Sequence, residues 1–323
     1  MSGPLKLGFM PLDDAAGLIV AKALGFFADE GLDVELSREA SWATIRDKVA
    51  VGALDGAHML APMVLAQSLG IGSEATAMIA PLALATDGAA ITLSARLGLG
   101  PSPTGVGLAD LVAQRRDMDA SLLTFGVVFP FSTHNYLLRL WVAQAGLDPD
   151  RDVRIVVAPP PRMAGLLAGG VIEGFCVGEP WNAVAVNAGA GVVAARGAAI
   201  APGAPDKVFG VTRAWAQANP VVLQALLRAL LRALAWADSP ENREALATLL
   251  AEPQHVGVAS DAIAAGLKHV VFHRGGVTRP DPAQAMWLLD QMRRWGQIAP
   301  GADVEAALSV YAPQMHDQAA VLA

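Results

Sequence analysis

A chain of 323 residues with 54% hydrophobic and 16% charged side chains can bury a sizeable core, and its length is more natural for two domains than for one. A net charge of −7 with scattered Lys and Arg argues against nucleic acid as a partner, because phosphate binding needs a basic field. The longest apolar stretch, Val221 to Ala237, is interrupted by Gln224, Arg228 and Arg232, so no membrane span is expected, and the single cysteine, Cys176, excludes an internal disulfide.

The first residues, MSGPLKLGFMP, carry one lysine and enter an alternating strand through Leu5, Leu7 and Phe9. No basic segment followed by an apolar stretch and a small-residue cleavage site is seen there, so a secretory signal is not expected and the expected location is the cytoplasm. Pro11 leads to Asp13 and Asp14, either of which can cap the helix AAGLIVAKALGFFADE before Gly31 ends it. A strand at Val34–Leu36 follows, then a helix from Trp42 capped by Ser41 and stopped at Gly52, a strand at Gly56–Leu60, and a helix at Pro62–Leu69. Apolar runs at Thr76–Ala80 and Ala89–Leu93 precede the turn-rich GLGPSPTGVG, a helix near Leu108–Arg115 and a strand at Leu122–Phe129.

There the pattern restarts. Gly126 stands 118 residues after Gly8, and Gly170, Ile172, Glu173, Gly174 and Pro180 fall where Gly52, Leu54, Asp55, Gly56 and Pro62 fall in the first half. A helix capped by Ser132 or Thr133, a strand at Val153–Val157, a helix at Arg162–Ala168, a strand at Gly174–Val177, a helix at Pro180–Ala188 and a strand at Val192–Ala194 complete the second unit. Pro160 then occupies the place of Trp42. Beyond Lys207–Thr212 the chain reads as helices: Pro220–Trp236, Glu241–Leu250, Asp261–Val271, Pro282–Trp295 and Val304–Tyr311.

Two doubly wound α/β units bind ligands at the carboxyl ends of their strands, so the cleft between them is the expected site. Helix N-termini at Ser41, Thr133 and Glu179 would aim N–H groups and positive dipole ends into it, which suits a small anion. His269 and His273 in HVVFH have helical i, i+4 spacing but no companion carboxylate or thiol, so metal binding is not expected. Without a G-x-S-x-G elbow, a P-loop or a dinucleotide fingerprint, neither catalysis nor a cofactor is expected.

The segments LGFMPLDDAAGLIVAKALGFFADEGLDVEL, REASWATIRDKVAVGALDGAHMLAPM, VGEPWNA and FHRGG with RPDPAQAMWLLDQMRRWGQ resemble the nitrate- and bicarbonate-binding proteins of ABC import systems over roughly residues 5 to 300. The resemblance implies a type II periplasmic-binding-protein fold holding a planar oxyanion between two lobes, one made of residues 1–95 and about 200–323, the other of about 96–199. The family's binding positions fall on Trp42, His134, Pro160, Gly178 and Lys207, while Ala89 stands where a Gln or Asn contact is expected. Lys207 is the expected countercharge, and Lys207→Ala is expected to abolish binding and leave the fold intact. His134, in the first turn of a helix, is expected to be neutral and to donate one N–H, with Trp42 stacked over the ligand plane. His58 reads as a satisfied core histidine.

Within that family the chain looks most like the cytoplasmic NasS-type nitrate/nitrite sensors, which implies control of an ANTAR-type antiterminator by lobe closure. The alternatives are the receptor of a nitrate, nitrite or bicarbonate importer, and an enzyme like the thiamine pyrimidine synthases. The enzyme's cysteine-rich iron motif is absent.

Overall fold

The computed structural model describes residues 3–322. Its ten strands are β1 (Leu5–Phe9), β2 (Val34–Arg38), β3 (Gly56–Leu60), β4 (Met78–Thr86), β5 (Ala89–Ser94), β6 (Thr124–Val127), β7 (Arg154–Val157), β8 (Gly174–Gly178), β9 (Gly191–Arg196) and β10 (Pro205–Thr212). They form two five-stranded sheets, ordered β2-β1-β3-β10-β4 and β7-β6-β8-β5-β9. In each, three parallel strands are followed by one antiparallel strand, so the two sheets repeat one plan.

The repeat holds at residue level. Lys207 of β10 pairs with Leu60 of β3, and Ala89 of β5 pairs with Gly178 of β8. Both members of the second pair lie 118 residues before or after their counterparts in the first. Lys207 and Ala89 are therefore equivalent positions in two lobes, as Trp42 and Pro160 are at the heads of their first crossover helices.

Two connections join the lobes. Asp87 and Gly88 carry the chain from β4 to β5, with Asp87 in the left-handed region at φ 68°, and residues 197–204 return it from β9 to β10. The first lobe boundary therefore falls at Asp87–Gly88 and not near residue 95, because β5 hydrogen-bonds into the second sheet. The helical C-terminal region packs on the first lobe. Its longest helix, Pro220–Asp238, has the length and hydropathy of a membrane span. It lays Leu223, Leu226, Leu227, Leu230 and Leu234 into the core and packs on the helix Ala16–Ala23, and its interrupting arginines pair outward, Arg228 with Glu30 and Arg232 with Asp29.

Two local expectations change. Asp13 and Asp14 do not cap a helix: they form a 3-10 turn with Ala15, entered from Leu12 without a side-chain cap, and the helix that follows stops at Ala23 before Gly25 at φ 80°. The helix expected at 261–271 runs Ser260–Leu267, and Val271 instead bridges Thr86 of β4. His269 and His273 consequently do not share a helix face.

Candidate functional site

The structure places the predicted residues around one buried cluster at the lobe interface. Ser41 accepts a hydrogen bond from the Thr44 N–H, which fixes the start of the helix Trp42–Ala50 and turns the Trp42 indole inward, where it is 1% exposed. Ser132 does the same for the helix Thr133–Gln144 by accepting from the Asn135 N–H, and this sets His134, 0% exposed, in the first turn. Gly178 ends β8 within the cluster. A Cβ there would lie 3.2 Å from Asp14 Oδ2, 3.3 Å from Leu12 and 3.6 Å from His134 Nε2, so a side chain would intrude on the groups that converge.

Lys207 is also fully buried. On a regular strand Asp206 and Lys207 would point to opposite faces. Here Pro205 pairs with Thr86 and Lys207 with Ala85, leaving Asp206 as the extra residue of a bulge that re-aims its side chain. The ammonium of Lys207 sits 2.7 Å from Asp206 Oδ1 and 2.9 Å from Asp14 Oδ2, and 5.9 Å from the centre of the Trp42 ring. His58 Nε2 lies 2.9 Å from Asp14 Oδ1, and its ring meets Trp42 edge-on at 5.2 Å. His134 Nε2 lies 3.8 Å from Asp206 Oδ2.

Trp42, Lys207, His134 and Gly178 are thus brought together. Ala89 lies beside Gly178 across the strand pair, facing Leu137 and Gly197 in a small recess that Asp206 also lines. Pro160, buried at the head of the turn Pro160–Arg162, takes the second lobe's equivalent of the Trp42 position. The helix N-terminus after Glu179 differs from expectation, because the Glu179 carboxylate itself accepts from the Ala183 N–H, so a carboxylate of the chain already occupies that position.

Four residues join that sequence reasoning left elsewhere. His58 is a member of the cluster and not a core histidine satisfied on its own. Asp13 and Asp14 look in the sequence like helix caps, and Asp206 carries no assigned role there. The signal that could have found Asp14 is two adjacent acids ahead of an apolar helix with only one cap position to fill.

The charge states follow from these contacts. Burial alone would lower the Lys207 ammonium pKa, but Asp14 and Asp206 overcome it and raise it above the ordinary lysine value. Burial opposes ionisation of Asp14, yet Lys207 and His58 hold its carboxyl well below the usual range. Burial pushes His134 down to about 4, against the pull of Asp206, so its imidazole is neutral, as the first-turn argument requires. Asp13 lies against Gly266 and Glu179 with both carboxyl oxygens unpartnered, and burial, then Glu179 and Asp14, raise its pKa well above the ordinary value.

A carboxyl with a raised folded-state pKa favours the fold below its unfolded value and loses that contribution as pH rises. Asp13→Asn is therefore expected to stabilise the protein at neutral pH, with the gain shrinking as pH falls towards 4. Urea unfolding at several pH values measures this, and a pH-independent effect would show that Asp13 is ionised in the fold.

The interface is closed. Trp181 Nε1 donates to the Pro11 carbonyl at 2.9 Å, the Asp13 N–H donates to the Glu179 carbonyl at 2.9 Å, and the Tyr136 hydroxyl meets Gln297 Oε1 at 2.8 Å, each linking one lobe to the other. Within this closed interface the Trp42 indole N–H and both ring nitrogens of His134 have no hydrogen-bond partner among the described residues. Buried donors without partners are costly, so the arrangement is built to receive acceptor oxygens.

Comparison with known proteins agrees with this geometry. The sequence profile of the NMT1-like family matches residues 2–251. The nitrate import ATP-binding protein NrtC of Synechocystis sp. is 38% identical over 91% of the chain and 46% of its own length, so the chain spans about half of that relative. The nitrate/nitrite binding protein NrtA of Nostoc sp. is 32% identical over 93% of the chain and 72% of its own length. The crystal structure of the periplasmic nitrate-binding protein NrtA from Synechocystis superposes with a TM-score of 0.93 at 30% identity, covering 98% of this chain and 88% of that one. The two lobes, the two crossovers and these relatives together establish that the chain belongs to the NMT1-like family, close to the NrtA proteins, with a periplasmic-binding-protein fold.

Proposed function

We propose that the chain binds a small planar oxyanion, nitrate or a close analogue, between its lobes, and serves as the solute-binding part of an ABC import system. It is not an enzyme in this reading, since the NrtA relatives that it covers most fully are named as nitrate- or nitrate/nitrite-binding proteins. The observation that carries the ligand reading is that Trp42 from one lobe and His134 from the other, whose ring nitrogens have no hydrogen-bond partner among the described residues, are buried around the Lys207–Asp206 pair. In this reading Lys207 and His134 contact ligand oxygens, the Gly178 backbone leaves room for them, and the Trp42 indole covers the ligand. Trp42, His134 and Lys207 are each at most 1% exposed, so a guest enters only when the lobes separate, and closure around it is the binding event.

A four-atom ligand at about 1.5 kcal/mol per atom gains at most about 6 kcal/mol, a dissociation constant on the order of tens of micromolar. At about 100 times that constant the ligand should add about 2.7 kcal/mol of stability and raise the melting temperature by a few degrees. Thermal unfolding with nitrate, nitrite and bicarbonate measures this. No shift with any of the three sinks the oxyanion reading.

A narrower proposal gives the chain a cytoplasmic sensor role in which closure releases an ANTAR-type regulator. It draws its support from the sequence resemblance alone, whereas the named relatives favour transport. Co-purification with such a regulator, lost when nitrate is added, is the result that would favour it.

A further inference from the structure

The charges inside the closed interface do not add up to an anion hole. Lys207 is wedged between two carboxylates, Asp14 at 2.9 Å and Asp206 at 2.7 Å, and all three are nearly or fully buried. Neither histidine adds a cation. The Met10 N–H points at His58 Nδ1 at 3.5 Å, which leaves the ring proton on Nε2 facing Asp14, and His134 has no partner close enough to hold an imidazolium. One ammonium against two carboxylates leaves the site negative before any ligand arrives. A second anion would add an uncompensated charge where no water can screen it.

The two carboxylates are not equivalent. Asp14 contacts both Lys207 and His58, one through each oxygen, whereas among the described residues Asp206 has a short contact with Lys207 alone. When a guest oxygen takes up the ammonium N–H bonds, Asp206 is the group left without a partner. It also faces like charge, since the Asp87 carboxylate of the lobe crossover lies near it and Asp14 lies across Lys207, while the neighbours on β8 and on the helix Thr133–Gln144, the Cys176 thiol and His134, are uncharged.

Resting on the oxyanion reading above, we propose that binding is coupled to the uptake of one proton per anion, carried by Asp206. Solvent supplies the proton, the Asp206 carboxylate becomes a carboxylic acid, and the Lys207 ammonium is freed to donate to the guest. The site then holds Lys207 against Asp14 and the anion, the same net charge as when empty. A protonated Asp206 also gains an O–H that can donate to an oxygen of the guest, a contact that Ala89 beside it cannot make.

The test is isothermal titration calorimetry of the full chain with nitrate, nitrite and bicarbonate in buffers of different ionisation enthalpy at one pH near neutrality. The slope of observed heat against buffer ionisation enthalpy counts the protons, and a value near one is expected, with apparent affinity falling about tenfold for each unit rise in pH. Asp206→Asn is expected to bring the slope near zero and to flatten the pH dependence. Saturable binding by the wild type with no proton uptake overturns the proposal and leaves the oxyanion reading standing. An unchanged slope in Asp206→Asn overturns Asp206 as the carrier, and the wild-type slope decides the coupling by itself should the variant not fold. Absence of binding with all three anions removes the oxyanion reading, and the proposal with it.

Discussion

Lys207→Met is expected to cost about 3–5 kcal/mol of stability at neutral pH, besides weakening anion binding by roughly a hundredfold. The reason is the company that the side chain keeps. Its ammonium is the short-range cation for both Asp14 and Asp206, and its removal strands two carboxylates that water does not reach. The sequence alone led to the opposite expectation, an intact fold, because a lysine ahead of a strand is ordinarily solvated.

The pH dependence identifies the cause. The folded-state pKa of Lys207 is raised, so its contribution is present throughout the range below the ordinary lysine value and is lost only at strongly alkaline pH. In the variant the stranded carboxyls are raised by burial, and they regain stability as pH falls and protons neutralise them. Urea unfolding at about pH 7.5 and pH 5 should therefore show a deficit that narrows on acidification. An equal deficit at both would show that the loss does not come from carboxyls left charged and unpartnered.

His134 gives the second large effect, from the opposite side of the interface. Its folded-state pKa of about 4 lies below the ordinary 6.5, so the imidazole contributes fully above 6.5 and loses that contribution as pH falls through 4. Across that window the wild type should lose roughly 3 kcal/mol on this account, since each pKa unit is worth about 1.4 kcal/mol. His134→Gln removes the titration. The difference between the two proteins, followed by urea unfolding from about pH 7 to pH 4.5, should shrink or reverse as pH falls, while the titration of Asp13 cancels in the comparison. Parallel curves would mean that His134 is charged or exposed in the fold.

Much of the architecture was legible because it is written locally. Alternating Leu5, Leu7 and Phe9, the Ser41 and Ser132 caps, and glycines such as Gly52 and Gly170 just past helix ends carry short-range information, and the 118-residue offset carries the plan of the second sheet. The resemblance supplied the positions of Trp42, His134, Gly178 and Lys207, which the structure gathers at one interface. What could not be read is what long-range contacts decide. An aspartate before an apolar run is normally a cap, and Asp14 is drawn inward because His58 and Lys207, both far along the chain, meet it there. Asp206 reaches the same ammonium through a bulge whose register depends on β4. The helix after Ser260 stops early because Val271 is recruited to bridge Thr86.

The equivalence of Lys207 and Ala89 has a kinetic corollary. Two half-sites built on one plan carry unlike groups: the first lobe sets an ammonium and an indole beside the carboxylates of Asp14 and Asp206, while the second sets an imidazole, a bare main-chain segment and a methyl group. For the oxyanion proposed above, this asymmetry predicts contact with one lobe first and closure of the other over it afterwards. Arrival and clamping would then be two separable steps, the first sensitive to ionic strength and the second to the strand crossovers at Asp87 and Gly197.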